Sequence, residues 1–150
     1  MPKTSLRARF FWLISRAAHA FYTRFPVLGV IRGAVCLIRR DGGYLVIERN
    51  DGLGLGLPGG IMRRNEAPEE TLRREVREET GLAVETATLV LTFELKKPFP
   101  VHTFVFEVSA QGDLRESWEG VPTVVSLEDL QQRIVAPQRP IIDFLLKRDM

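Results

Sequence analysis

Cysteine is nearly missing from this chain of 150 residues, where Cys36 stands alone. No intrachain disulfide framework can form, which suits a reducing compartment, and a cytoplasmic location is the expectation. In the β-rich run GAVCLIRR, the thiol is expected to act as a small buried hydrophobe. Acidic residues are absent before Asp41, while Lys3, Arg7, Arg9, Arg16, Arg24, Arg32, Arg39 and Arg40 are all basic. The net charge is only +2, so the remainder is mildly acidic, and nucleic acid is an unfavoured principal partner. A long apolar run is missing too. Arg16 and His19 interrupt RARFFWLISRAAHAFYTRF, which falls short of the roughly 20 residues a spanning helix needs. Uncharged Phe10 to Ser15 is also short for a secretory signal.

What is present is ordinary in bulk. A hydrophobic share of 45% and a charged share of 27% describe a globular chain, long enough for one domain with a sizeable core. Leu6, Phe10, Leu13, Ala17 and Phe21 recur at helical spacing. Residues 1–26 therefore read as a basic amphipathic helix ending near Pro26, ahead of a domain over 27–150. Such a helix permits peripheral membrane contact, but packing on its own domain or on a homodimer mate is the favoured reading. Two β-rich runs around Asp41-Gly42-Gly43 predict a hairpin. Ala67 to Thr80 reads as a helix, with Pro68 in its first turn and Gly81 as its stop. Apolar runs over Ala87 to Leu95 and Val101 to Val108, and a short one at Thr123 to Val125, predict further strands. Ser126 would cap LEDLQQRI, and RPIIDFLLKR would close the chain as a helix. Strands with few helices between them predict a mixed α/β (α+β) fold, a mixed sheet flanked by helices.

The stretch GLGLGLPGG contains Gly54, Gly56 and Gly59 in G-x-G-x-x-G spacing. That pattern cradles a dinucleotide only where a helix opens directly from it. Here Pro58 and the loop Ile61 to Asn65 intervene, so the match is accidental. Glycine at 59 and 60 instead lets the backbone turn tightly and approach another group.

The helix beyond carries Glu75, Glu78 and Glu79 at i, i+3 and i+4, on one side and next to the apolar pair Leu72 and Val76. Like charges gathered beside a core repel one another and invite a cation. Ligands that are all oxygen suit Mg²⁺ or Mn²⁺ rather than zinc. Solvated i,i+4 pairs, Glu70–Arg74 and Arg74–Glu78, are the bland alternative.

From Gly60 the chain reads GIMRRNEAPEETLRREVREETGL. This run resembles the Nudix box, G-x5-E-x7-R-E-U-x-E-E-x-G-U with U a bulky aliphatic residue, without a mismatch. Gly60, Glu66, Arg74, Glu75, Val76, Glu78, Glu79, Gly81 and Leu82 fill every fixed position. The resemblance implies an α/β/α sandwich and a hydrolase that cuts a pyrophosphate linkage in a nucleoside diphosphate derivative, using Mg²⁺ or Mn²⁺. It implies that Glu75, Glu78 and Glu79 ligate metal, with the Gly59 carbonyl adding a ligand. Arg74 would orient the carboxylates and Glu66 would brace the loop, while Glu75 could instead be the general base. A further catalytic carboxylate often comes from outside the box, and Glu119 is favoured over Glu116. The expected partner is a small nucleotide, with RNA 5′ ends as chemically admissible substrates. The competing reading is a regulatory module that keeps the fold and binds a nucleotide without turnover. Leu55 stands where many relatives have tryptophan. Pro98 and Pro98-Phe99-Pro100 only partly match the patterns of ADP-ribose- and NADH-cleaving members, so no substrate follows from them. His102, Phe104 and Phe106 share a strand face and could line a base pocket, though a core role with the histidine satisfied by a neighbour is favoured.

Overall fold

The computed structural model describes residues 29–97 and 100–150. The expected N-terminal helix and the dipeptide at 98–99 lie outside the described residues. Strands β1 (Ile31–Arg40) and β2 (Gly43–Arg49) form the expected hairpin. Between them Asp41 and Gly42 take φ of 49° and 78°. Left-handed backbone at both central positions matches the twist of paired strands, which is why Asp-Gly occurs there.

The glycine stretch is itself sheet, in two short strands, β3 (Leu55–Gly56) and β4 (Gly59–Ile61). No helix opens from it. Helix α1 (Pro68–Thr80) comes only after the loop. The Glu70 carboxylate accepts the Ala67 N–H at 2.8 Å, so Glu70 is engaged in capping rather than with Arg74. Gly81 ends the helix at φ 80°, its N–H donating to the Arg77 carbonyl. Strands β5 (Ala83–Leu95) and β6 (Val101–Gln111) extend beyond the apolar runs that announced them. Strand β7 (Gly120–Val125) precedes α2 (Leu127–Arg133) and α3 (Arg139–Arg148). Ser126 caps α2 as expected, accepting the Asp129 N–H at 3.1 Å.

The sheet is mixed. β1 runs parallel to β6, from Ile31 opposite Val101 to Ile38 opposite Val108. On its other edge β1 divides its pairing, Gly33 to Val35 with β4 and Arg39 to Arg40 with β2. β2 also pairs along its length with β7, and β5 lies antiparallel to β6. From Ala34 to Ile38, β1 is buried on both faces. Ala34, Cys36 and Ile38 join Leu45, Leu72, Val76, Leu82, Phe106 and Val108 in the core beneath α1. Val35 and Leu37 join Leu55, Leu130, Ile141, Ile142 and Leu145 in the core beneath α2 and α3. Alternate residues of one strand thus feed two cores, giving the expected three layers. Leu55 is fully buried, so the residue in the usual tryptophan position packs inward rather than toward solvent. Cys36 is buried as well, its thiol donating to the Pro58 carbonyl at 3.3 Å, and burial pushes its pKa up. No helix among the described residues is long and apolar enough to cross a membrane.

Candidate active site

The site forms where β4 passes under α1. Cys36 N–H donates to the Pro58 carbonyl at 2.9 Å and Met62 N–H to the Arg32 carbonyl at 2.8 Å. By antiparallel alternation Ala34 and Gly60 exchange the bonds between these two, whereas Val35 and Gly59 exchange none. The Gly59 N–H therefore turns away from β1 and donates to Glu79 Oε2 at 3.0 Å. With the Gly60 N–H aimed at β1, the trans peptide turns the Gly59 carbonyl away from it too. Gly59 has φ 152°, and a Cβ there would strike the Ala34 carbonyl and lie 2.7 Å from Val35 Cα. At Gly60 a Cβ would lie 2.5 Å from Glu75 Oε1. The two glycines thus serve different contacts, one with the sheet and one with a carboxylate.

Glu79 is only 5% exposed. Burial raises its pKa far above the carboxylate range, and the carboxyl groups of Glu119 and Glu75 raise it further. Leu72 and Val76, both fully buried, anchor α1 so that Glu79 is carried inward. Glu119 stands in the loop before β7, near enough for its carboxyl to act on that of Glu79. That loop is tied down: Asn50 N–H donates to the Glu119 carbonyl, and Asn50 Nδ2 to the Trp118 carbonyl, both at 3.0 Å. Ser117 Oγ accepts the Glu119 N–H at 3.2 Å. Glu75 is partly buried beside Gly60, and burial raises its pKa against the pull of Arg74. Glu78 lies further out, its side chain 54% exposed, 3.4 Å from Arg74 and 3.9 Å from Arg63.

Arg74 ties loop to helix. Its Nη2 is 2.9 Å from Glu66 Oε1 and its Nη1 is 2.6 Å from Glu75 Oε1. Nε reaches Glu66 Oε2 at 3.1 Å, making the Glu66 contact two-pronged. The Thr71 hydroxyl also donates to Glu66. Hydrogen bonds from Arg74 first, then Thr71, hold the Glu66 pKa down at about 2. A carboxylate whose pKa is lowered by folding stabilises the fold above its unfolded value and loses that contribution as pH falls toward its folded one. Urea midpoints measured from pH 5 down to pH 2 are therefore expected to fall, and to fall less steeply in Glu66→Gln. Parallel profiles for the two proteins would contradict this role for Glu66.

Among the described residues no three carboxylate, histidine or cysteine side chains form a ready-made metal cage. Glu79 is engaged by the Gly59 N–H, and Glu75 by Arg74. The donors nevertheless fit a hard divalent ion. They are all oxygens, and the buried Glu79 carboxyl has those of Glu119 and Glu75 acting on it, where a positive charge would relieve their repulsion. Glu116 is exposed and lies apart, lining a groove with Arg77, Glu78, Gly81 and Arg115.

Arg49 escapes notice in the sequence. Glu119 and Glu79 both act on its guanidinium electrostatically, and Asp51 holds it at 2.5 Å. Only the long-range pairing of Arg49 with Gly120 brings it there. On the strand face singled out earlier, Phe106 is core. His102 stacks on Phe104 with ring centroids 4.6 Å apart, and its Nδ1 lies 3.5 Å from Glu94 Oε1.

The NUDIX domain model matches residues 29–145. Over 64 residues the chain is 42% identical to a MutT-like protein of Streptomyces ambofaciens, a match covering 43% of this chain and 42% of that protein. It is 31% identical to the 8-oxo-dGTP diphosphatase of Haemophilus influenzae over 98 residues, covering 62% of this chain and 68% of that one. The crystal structure of a MutT Nudix hydrolase from Burkholderia pseudomallei superposes with a TM-score of 0.67 at 27% identity, covering 75% of this chain and 95% of that one. Motif, fold and relatives agree: the chain belongs to the Nudix hydrolase family.

Proposed function

We propose that the domain over 27–150 hydrolyses a pyrophosphate linkage in a nucleoside diphosphate derivative, with residues 1–26 as an extension outside the reaction. The observation that carries this reading is the buried Glu79 carboxyl, accepting the Gly59 N–H of β4 at 3.0 Å, with Glu75 beside Gly60. Burial and neighbouring carboxyl groups disfavour an ionised Glu79, a cost that a divalent cation bound there would relieve. Glu75, Glu78 and Glu79 would hold Mg²⁺ or Mn²⁺, with the Gly59 carbonyl as a further ligand and Glu119 completing the set. Bound there, the ion would supply positive charge against the diphosphate and its leaving oxygen. Arg74 keeps Glu75 in register and Glu66 holds Arg74, so the loop and α1 move as one piece. Glu75 and Glu119 are the groups that can take the proton of the attacking water, each carboxylate being a base within the site.

A substrate panel with Mg²⁺ and Mn²⁺ tests the reading. It holds oxidised and normal deoxynucleoside triphosphates, ADP-ribose, nucleotide sugars, dinucleoside polyphosphates and NADH. Similarity to the 8-oxo-dGTP diphosphatase of Haemophilus influenzae puts the oxidised triphosphate first. One substrate is expected to be cut far faster than the rest, with release of a nucleoside monophosphate. Folded protein that is silent across the panel would sink the hydrolase reading for these substrates and move weight to a nucleotide-binding module.

A further inference from the structure

Beyond Glu78, on the side of α1 turned away from Glu79, lies an open groove of about 380 Å³. Arg77, Glu78, Gly81, Arg115 and Glu116 line it. Among the described residues neither arginine has an ion pair or a side-chain hydrogen bond, although two carboxylates share the groove. Arg49, Arg73 and Arg74, by contrast, all reach carboxylates within 3.0 Å. Arg115 is not loosely placed. Its N–H donates to the Thr80 carbonyl at 2.8 Å. Its side chain crosses Gly81, where any Cβ would lie 2.7 Å from Nε. Gly81 therefore does two things, ending α1 in the left-handed conformation and leaving room for a guanidinium over the negative end of the helix. Two guanidinium groups with open donors match the oxygens of a phosphate. Glu78 belongs to both this groove and the proposed metal set, so the groove begins at the edge of the proposed reaction centre.

We propose that this groove is a phosphate subsite, in which Arg77 and Arg115 hold the phosphate chain of the substrate beyond the bond that is cut. Its place in the reaction rests on the hydrolase reading above, but its affinity for phosphate does not. Substrates whose leaving part is itself a phosphate chain are then favoured over those whose leaving part carries an uncharged sugar.

Calorimetric titration of the metal-free full chain with tripolyphosphate tests the subsite directly. The double variant Arg77→Ala/Arg115→Ala is expected to bind about tenfold more weakly or worse, since each charge-assisted hydrogen bond carries on the order of that factor. Arg115→Lys should recover part of the loss, and thermal melts should show all variants folded. In turnover, KM for a nucleoside triphosphate should rise about tenfold with kcat held, while KM for ADP-ribose stays put. Equal tripolyphosphate affinity in wild type and double variant, or no binding by wild type, overturns the subsite. A KM rise shared by ADP-ribose overturns its selectivity for phosphate chains. Loss of tripolyphosphate binding in a chain that turns over nothing leaves the subsite standing and removes the hydrolase reading.

Discussion

Glu79→Gln is expected to leave the fold intact and to lower turnover roughly a thousandfold or more, the rate equivalent of several kcal/mol of charge stabilisation. Glutamine keeps the shape and an oxygen for the Gly59 N–H, so the hydrogen bond at 3.0 Å survives. What goes is a carboxyl that can ionise to bind a cation, and that burial, Glu119 and Glu75 keep protonated without one. The variant should therefore melt at or above the wild-type temperature without metal, because folding no longer has to protonate a group that is ionised in the unfolded chain. Added Mg²⁺ should raise the wild-type melting temperature, since an ion that binds only the native state stabilises it by mass action. The variant should gain little. Near-normal turnover at saturating Mg²⁺ would refute the assignment of Glu79 as a ligand, and a lowered metal-free melting temperature would refute the account of its burial.

Gly59→Ala should act on stability even without metal or substrate. The new Cβ has backbone on two sides, the Ala34 carbonyl and Val35 Cα. Neither can yield, because β1 is pinned there between β4 and the parallel strand β6. The φ of 152° adds a strain that an L side chain rarely tolerates. Overpacking and strain together are expected to cost about 3 kcal/mol or more, a drop of roughly 10 °C in melting temperature for a chain of this size. Gly56→Ala is the control, since a Cβ there meets nothing within 4 Å. Equal melting temperatures for the Gly59 and Gly56 variants would remove the close approach as the reason for glycine at 59.

Much of this was legible in the chain itself, for identifiable reasons. α1 announces itself through Pro68, Gly81 and the buried pair Leu72 and Val76, because helical capping and periodicity are local. The hairpin is equally local in Asp41-Gly42. β3 and β4 were not legible as strands: so short and rich in glycine, they carry no side-chain alternation, and only their partners make them sheet. Glu119 and Glu116 are near twins in sequence, and what parts them is register. Pairing of Gly120 with Arg49 brings Glu119 toward α1, while Glu116, three residues earlier, falls beside Arg115. Arg49 was hidden for the same reason, since its neighbours come from a strand some seventy residues away by the long-range pairing just described.

α1 has one further implication, because Leu72 and Val76 sit in the core while Glu75 and Glu79 face Gly59 and Gly60 of β4. Core and site are two sectors of a single rotating body. A carboxylate stands about 6 Å from the axis of such a helix, so a roll of about 10° sweeps it through roughly 1 Å. A displacement of that size can cost about a hundredfold in rate even when its source is remote from the chemistry. The volume of the side chains under the helix therefore works as a protractor for the site, and a methyl group added or removed at Leu72 resets its angle before it touches a single ligand.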